Sequence, residues 1–281
     1  MRDNRLRIAV VAPAARISDE IAARVGALAA QLYPQRLAEL FFHPQCFLTS
    51  GHFAGDDAAR SDAFIAVAND PHFDVVWIGR GGYGSCRIAE AVIEQLAAPA
   101  RDKLYMGYSD AGSLLAALYR HGFRVAHGPM PADILRPGGE AAVARGLAYL
   151  IERAPSALEP HVVAGTKAVA FNLTILSQML GTPIEPDLTD HVLMLEEDCE
   201  HMYRIDRYFF HITSNPAIRR VAGIRLGRCS NIPANVPDFA QTEEEVARTW
   251  CARAGIAYLG RADIGHDIDN KVVPFGDGYA V

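Results

Sequence analysis

The chain has 281 residues, half of them hydrophobic and 21% charged, enough for one large or two moderate domains with real cores, which excludes a disordered chain. A formal net charge of -6, a pI near 5.9 and scattered rather than clustered Lys and Arg argue against nucleic-acid binding, and no run reaches the roughly 20 apolar residues of a membrane span. Five separated cysteines (Cys46, Cys86, Cys199, Cys229, Cys251) with no CxxC pair argue against a disulfide framework or zinc ribbon and fit incidental thiols in a reducing cytoplasm.

Met1 to Arg7 is basic and Ile8 to Ala15 apolar, superficially like a signal peptide, but Asp3 and Pro13 interrupt the pattern. A strand from Arg7 to Ala12 entering a loop fits better. A helix follows over Ser18 to Leu32, then a strand over Phe41 to Leu48 and a helix over Asp57 to Ala68. Asp74 to Ile78 reads as a third strand, leading through a glycine cluster into a helix over Ser85 to Leu96. Leu104 to Tyr108 is a fourth strand, Asp110 to Tyr119 a helix, and Phe123 to Ala126 a fifth strand. Strands alternating with helices imply right-handed crossovers and a parallel sheet covered on both faces.

Gly138 to Arg153 reads as a further helix. Pro155 to Pro160 then breaks the pattern as a connection between two domains, expected over residues 1–155 and 156–281. Beyond it, apolar runs (Val162 to Phe171, His191 to Leu195, Val221 to Leu226) alternate with longer polar segments. Thr242 and Glu245 have capping-box spacing and start a helix to about Ala254. Lys271 to Val281 reads as short strands around a Gly-Asp-Gly turn.

Three segments carry chemistry. In Gly107-Tyr108-Ser109-Asp110-Ala111, a serine sits between a strand and a helix, at the sheet edge where α/β proteins place their sites. The helix N-terminus offers free N–H groups to an oxyanion, and the small neighbours permit a nucleophile elbow, here G-x-S-x-A. By itself the segment reads first as a helix cap, as in a non-catalytic binding module, and the facing glycine turn shifts it toward a nucleophile. Gly79-Arg80-Gly81-Gly82-Tyr83-Gly84 formally matches the dinucleotide fingerprint G-x-G-x-x-G. It follows the third strand rather than the first, however, and the ribose-binding acid's position holds Tyr108-Ser109-Asp110. Its glycines would equally bring backbone N–H groups to a substrate carbonyl.

The third segment lies in the second half. Leu193 to Asp198 ends an apolar strand in carboxylates, and His266 follows Gly265 in a loop. Serine, acid, histidine is a chain order that acyl-transfer enzymes use. Glu196, Glu197, Asp198, Cys199, Glu200 and His201 are rich in metal-ligating types, but neighbours on a strand point to opposite faces and cannot all converge. One inward-facing glutamate in a solvated acidic loop fits better.

Taken in order, Arg80-Gly-Gly-Tyr-Gly-Ser85, Gly107 to Asp110, His127-Gly-Pro-Met130, Asn172-Leu173 with Gly181-Thr-Pro183, Leu195-Glu196, Tyr203 to Arg207, and Gly265-His266 with Asn270 and Pro274 resemble the LD-carboxypeptidase family over nearly the whole chain. That family includes self-immunity hydrolases of microcin-type peptide–nucleotides. The resemblance implies an N-terminal Rossmann-like parallel-sheet domain and a β-rich C-terminal domain, with the active site in the cleft between them. It implies a Ser–Glu–His triad of Ser109, Glu196 and His266, an oxyanion hole from the amides of Asp110 and Gly82, no cofactor or metal, and a homodimer. The implied reaction is hydrolysis between meso-diaminopimelate and terminal D-alanine in a murein peptide, with no nucleic-acid or membrane partner. Arg80 and Arg204 are candidates for reading the free carboxylate. Ala170-Phe171 replaces the family's Gly-Gly, which is expected to alter the pocket floor, and Glu197 beside Glu196 leaves two carboxylates for one role. The compact length favours a murein peptide over a peptide–nucleotide.

Overall fold

The computed structural model describes residues 5–35 and 37–277. The first half runs β1 (Leu6–Val11), α1 (Asp19–Leu32), β2 (Ala38–Phe42), α2 (Asp57–Asn69), β3 (Val75–Ile78), α3 (Ser85–Glu94), β4 (Leu104–Gly107), α4 (Gly112–Arg120), β5 (Arg124–His127) and α5 (Gly139–Glu152). The second half runs β6 (Ala168–Asn172), α6 (Leu173–Met179), β7 (Val192–Asp198), α7 (Met202–Ser214), β8 (Gly223–Ser230), α8 (Glu243–Ala254), β9 (Tyr258–Arg261) and β10 (Val273–Pro274).

The first sheet has the order β10-β5-β4-β3-β1-β2. Its first five strands are mutually parallel and only β10 is antiparallel. β3 and β4 are buried along their whole length, because helices cover both faces; that is why they read as unbroken apolar runs. Strand order reverses direction between β1 and β3, and such a reversal opens a crevice at the carboxyl ends of the strands.

The second sheet runs β6-β7-β8-β9, parallel throughout, with helices as its connections. Crossovers that always step the same way put their helices on one face. Leu193 and Leu195 accordingly share a core with Ile205, Phe209 and Val246 of α7 and α8. Ala168, Ala170, Val192 and Met194 face the other way and are covered by Ala262, Ile264 and Val273. The segment between β9 and β10 therefore crosses the sheet's helix-free face, and it carries His266.

Three expected strands shift in the structure. The run Phe41 to Leu48 is a strand only to Phe42, because Pro44 lacks an N–H and opens a 3₁₀ turn, Pro44–Phe47. That turn buries Gln45 and Cys46, which imitates a strand's apolarity. The run Val162 to Phe171 becomes extended only at Ala168, after turns around Gly165. Val221 to Leu226 begins two residues late and extends to Ser230. The capping box of Thr242 and Glu245 forms as expected. Val273–Pro274 pairs with Ala126 and His127 of the first sheet. Met1–Asn4 of the basic start, and Gly278 with the strand expected beyond it, lie outside the described residues. No helix among the described residues is long and apolar enough to cross a membrane.

Candidate active site

Ser109 sits where β4 meets a one-turn 3₁₀ segment leading into α4, with φ of 60°. A left-handed φ is costly for a residue with a Cβ, and such strain concentrates where surrounding structure holds a functional side chain in place. Gly81 makes the close approach possible: a Cβ there would lie 2.9 Å from Ser109 Cβ and 3.0 Å from Oγ.

The Asp110 carboxylate is buried and accepts hydrogen bonds from the N–H groups of Gly84 (3.1 Å) and Ser85 (2.9 Å). It therefore ties the serine turn to the glycine loop. It also occupies the N-terminus of α3, the place a pyrophosphate would need, which removes the dinucleotide reading. Arg60, fully buried on α2, holds the loop from behind by donating to the Gly84 carbonyl (2.9 Å) and to the Pro13 carbonyl. Nothing in the helical pattern around Arg60 marks that role in the sequence.

The two glutamates separate by strand alternation. Glu197 points to the helix side, where it accepts from Asn172 Nδ2 (2.6 Å), Thr174 N (2.9 Å) and Thr174 Oγ1 (2.7 Å). Its task is to anchor the start of α6. Glu196 points to the helix-free side, is fully buried, and accepts a hydrogen bond from His266 Nδ1. Gly227 leaves room for this contact, since a Cβ there would lie 2.7 Å from Ile264 Cγ1 and 3.0 Å from Glu196 Cβ. Glu196 Oε1 has no partner among the described residues, so the carboxylate's interaction is concentrated on the imidazole.

Burial by itself depresses the His266 pKa, but Glu196, through its charge and hydrogen bond, outweighs that and lifts it to about 9. The loop carrying His266 is fastened by side chains. Arg228 pairs with both Asp263 and Asp267. Arg145 donates to the carbonyls of Ile268 (2.8 Å) and Asn270 (3.0 Å). Asn270 Oδ1 accepts from Gly265 N (3.2 Å) and from His127 Nε2 (3.1 Å). Burial lowers the His127 pKa and favours its neutral form. The Tyr108 ring lies 4.9 Å from that of His266.

A cavity of about 370 Å³ is lined by Ser109, His266, Arg80, Gly81, Gly82, Tyr108, Asp133 and Arg136, among others. Of the residues expected from sequence, Ser109, His266, Gly82 and Arg80 line this cavity, Glu196 sits behind His266, and Asp110 anchors the turn. Among the described residues the Gly82 N–H donates to no other group, and Ser109 Oγ makes no hydrogen bond to His266; such bonds are often long in unliganded sites and tighten around substrate. Arg204 lies outside the cavity on α7, donating to the Glu200 carboxylate at 3.2 Å. Ala170-Phe171 does not form the cavity floor either: Phe171 is buried against Phe275, ring centroids 5.1 Å apart. Arg136 and Arg228 belong to no local sequence motif, so nothing in the sequence marks either of them.

Models of the LD-carboxypeptidase N-terminal and C-terminal domains match residues 8–128 and 166–281. A putative carboxypeptidase of Synechocystis sp. is 32% identical over 232 residues, 80% of this chain and 75% of that protein. The crystal structure of muramoyltetrapeptide carboxypeptidase from Oxalobacter formigenes superposes with a TM-score of 0.78 at 25% identity, covering 95% of this chain and 93% of that one. The microcin C7 self-immunity protein MccF shares the fold, with a TM-score of 0.77 at 16% identity over 98% of this chain and 92% of its own.

Proposed function

This chain belongs to the LD-carboxypeptidase family, and from that premise we propose that it is a serine-type LD-carboxypeptidase whose triad is Ser109, Glu196 and His266. The substrate in this reading is a murein tetrapeptide, cut between the L-centre of meso-diaminopimelate and terminal D-alanine during peptidoglycan recycling. The observation that carries the reading is that Ser109, strained at φ 60°, and His266, held at Nδ1 by buried Glu196, line one cavity.

Ser109 Oγ attacks the scissile carbonyl while His266 Nε2 takes its proton. The N–H groups of Gly82 and Asp110 hold the oxyanion, and Glu196 keeps the imidazole in the required tautomer and balances its charge. His266 then protonates the departing amine of D-alanine, and water, activated by the same imidazole, releases the acyl group from Ser109. We assign the nucleophile to residues 1–155 and its acid and base to residues 156–281, in a cytoplasmic homodimer.

Wild type and Ser109→Ala are to be compared for D-alanine release from murein tetrapeptide. The expected loss is about 10⁴-fold or more, with an unchanged melting temperature; equal release from both would overturn the assignment. A second reading, cleavage of a microcin-type peptide–nucleotide, has the shared fold of MccF in its favour. Turnover of such a conjugate without tetrapeptide turnover would select it.

A further inference from the structure

A carboxypeptidase must recognise the free carboxylate one residue beyond the bond it cuts, so a cation has to stand at a fixed distance from its nucleophile. Two arginines line the Ser109 cavity, Arg80 and Arg136. Arg80 is exposed, and its guanidinium makes one long bond, 3.4 Å to the Arg16 carbonyl. A long side chain held so loosely loses rotamer freedom on binding and gives little geometric selection.

Arg136 is differently placed. Its side chain is 36% exposed, and Nε donates to Asp133 Oδ1 at 3.1 Å while an Nη2 hydrogen points to Tyr108 Oη at 3.4 Å. Asp133 is buried and also accepts from the Tyr108 hydroxyl (2.7 Å) and the Met130 N–H (2.8 Å). Tyr108 immediately precedes Ser109. The guanidinium is thus tied to the nucleophile's own turn through two contacts on one edge. Nη1 has no partner among the described residues, so the fork's outer edge remains for a ligand. Asp133 engages the guanidinium through Nε alone, so among the described residues no carboxylate occupies hydrogen-bond reach of its outer edge. A planar fork with one edge fixed and the other open suits bidentate binding of a carboxylate.

We propose that Arg136, rather than Arg80 or Arg204, reads the terminal carboxylate of the peptide and so confines cleavage to a chain end. The inference rests on the carboxypeptidase reading above. It assigns Arg136 a specificity role and no part in proton transfer.

The test uses the full-length protein and two substrates, murein tetrapeptide and the same peptide with its terminal carboxylate converted to an amide. For wild type, kcat/KM should favour the acid by about 10- to 100-fold, the range for a charge-assisted bidentate contact. Arg136→Gln should bring that ratio near one, chiefly by raising KM for the acid. Arg136→Lys, which keeps the charge but not the fork, should retain part of the ratio, and Arg80→Gln most of it. Equal losses on acid and amide in both Arg136 variants would mean that Arg136 merely supports Tyr108 and Asp133, and would overturn the inference alone. A preference abolished by Arg80→Gln and kept by Arg136→Gln would do the same. Wild type that releases neither D-alanine from the acid nor D-alaninamide from the amide would overturn the carboxypeptidase reading itself.

Discussion

On the Ser109 side of the cavity the restraints are local and buried: a left-handed φ, a glycine whose missing Cβ admits the hydroxyl, and the buried Asp110 carboxylate bound to the amides of Gly84 and Ser85. On the His266 side the loop has little regular structure. Arg228, Arg145, Asn270 and Glu196 hold it through side-chain bonds. Buried restraints at a sheet edge leave little room for the turn to move. A loop held by charged side chains can be loosened by removing one of them. In the proposed triad, Ser109 is therefore expected to fail sterically and His266 electrostatically.

The largest effect that separates the two sides is expected for Glu196→Gln. Losing the carboxylate that orients His266 should cost about 10³- to 10⁴-fold in kcat without disturbing the Ser109 turn. It should also reshape the pH profile. With its pKa raised to about 9, the wild-type base becomes neutral only as pH climbs, so kcat/KM should rise through that region, and in the variant the limb should move toward lower pH. Stability runs the opposite way. A folded-state pKa raised above the ordinary imidazole value of 6.5 gives a contribution fully present below about pH 6.5 and lost as pH rises through about 9. Thermal unfolding of wild type across that window should show the loss, and Glu196→Gln should lack it.

Gly81→Ala probes the other side. Gly81 has no left-handed φ, so the expected penalty is the contact with Ser109 alone. A displaced nucleophile should lower kcat about 10²-fold while the His266 pH limb stays where it is. The smallest effect is expected for Arg228→Met, which leaves Asp263 and Asp267 without their shared partner. Each of these side chains is about one-third exposed, so the stability cost should be about 1 kcal/mol, or a fall of about 3 °C in Tm. Turnover should drop about tenfold through a looser His266. A larger kinetic loss from Arg228→Met than from Gly81→Ala would reverse the comparison.

The same contrast explains what could be read from sequence. The strand, turn and helix that carry Ser109 were legible because they lie close in sequence and have strong residue preferences, whereas reading Ser109 as more than a helix cap took the facing glycine turn and the ordered resemblance. The parallel sheet was legible because its buried strands are unbroken apolar runs. Glu196 could not be separated from Glu197 by spacing. The separation depends on which face of β7 the α6 start and the His266 loop occupy. Arg60, Arg136 and Arg228 left no local trace, since their partners come from distant segments brought together by the fold. Likewise, nothing near Val273 announces that it joins β5.

In the proposed mechanism His266, held by Glu196, activates Ser109. This activation is tested most directly by the rate of fluorophosphonate modification of wild type and His266→Gln, followed by intact mass with the adduct position mapped. A single adduct on Ser109 is expected, formed at least about 10³-fold faster in wild type. An adduct on another residue, or equal rates in the two proteins, would contradict it.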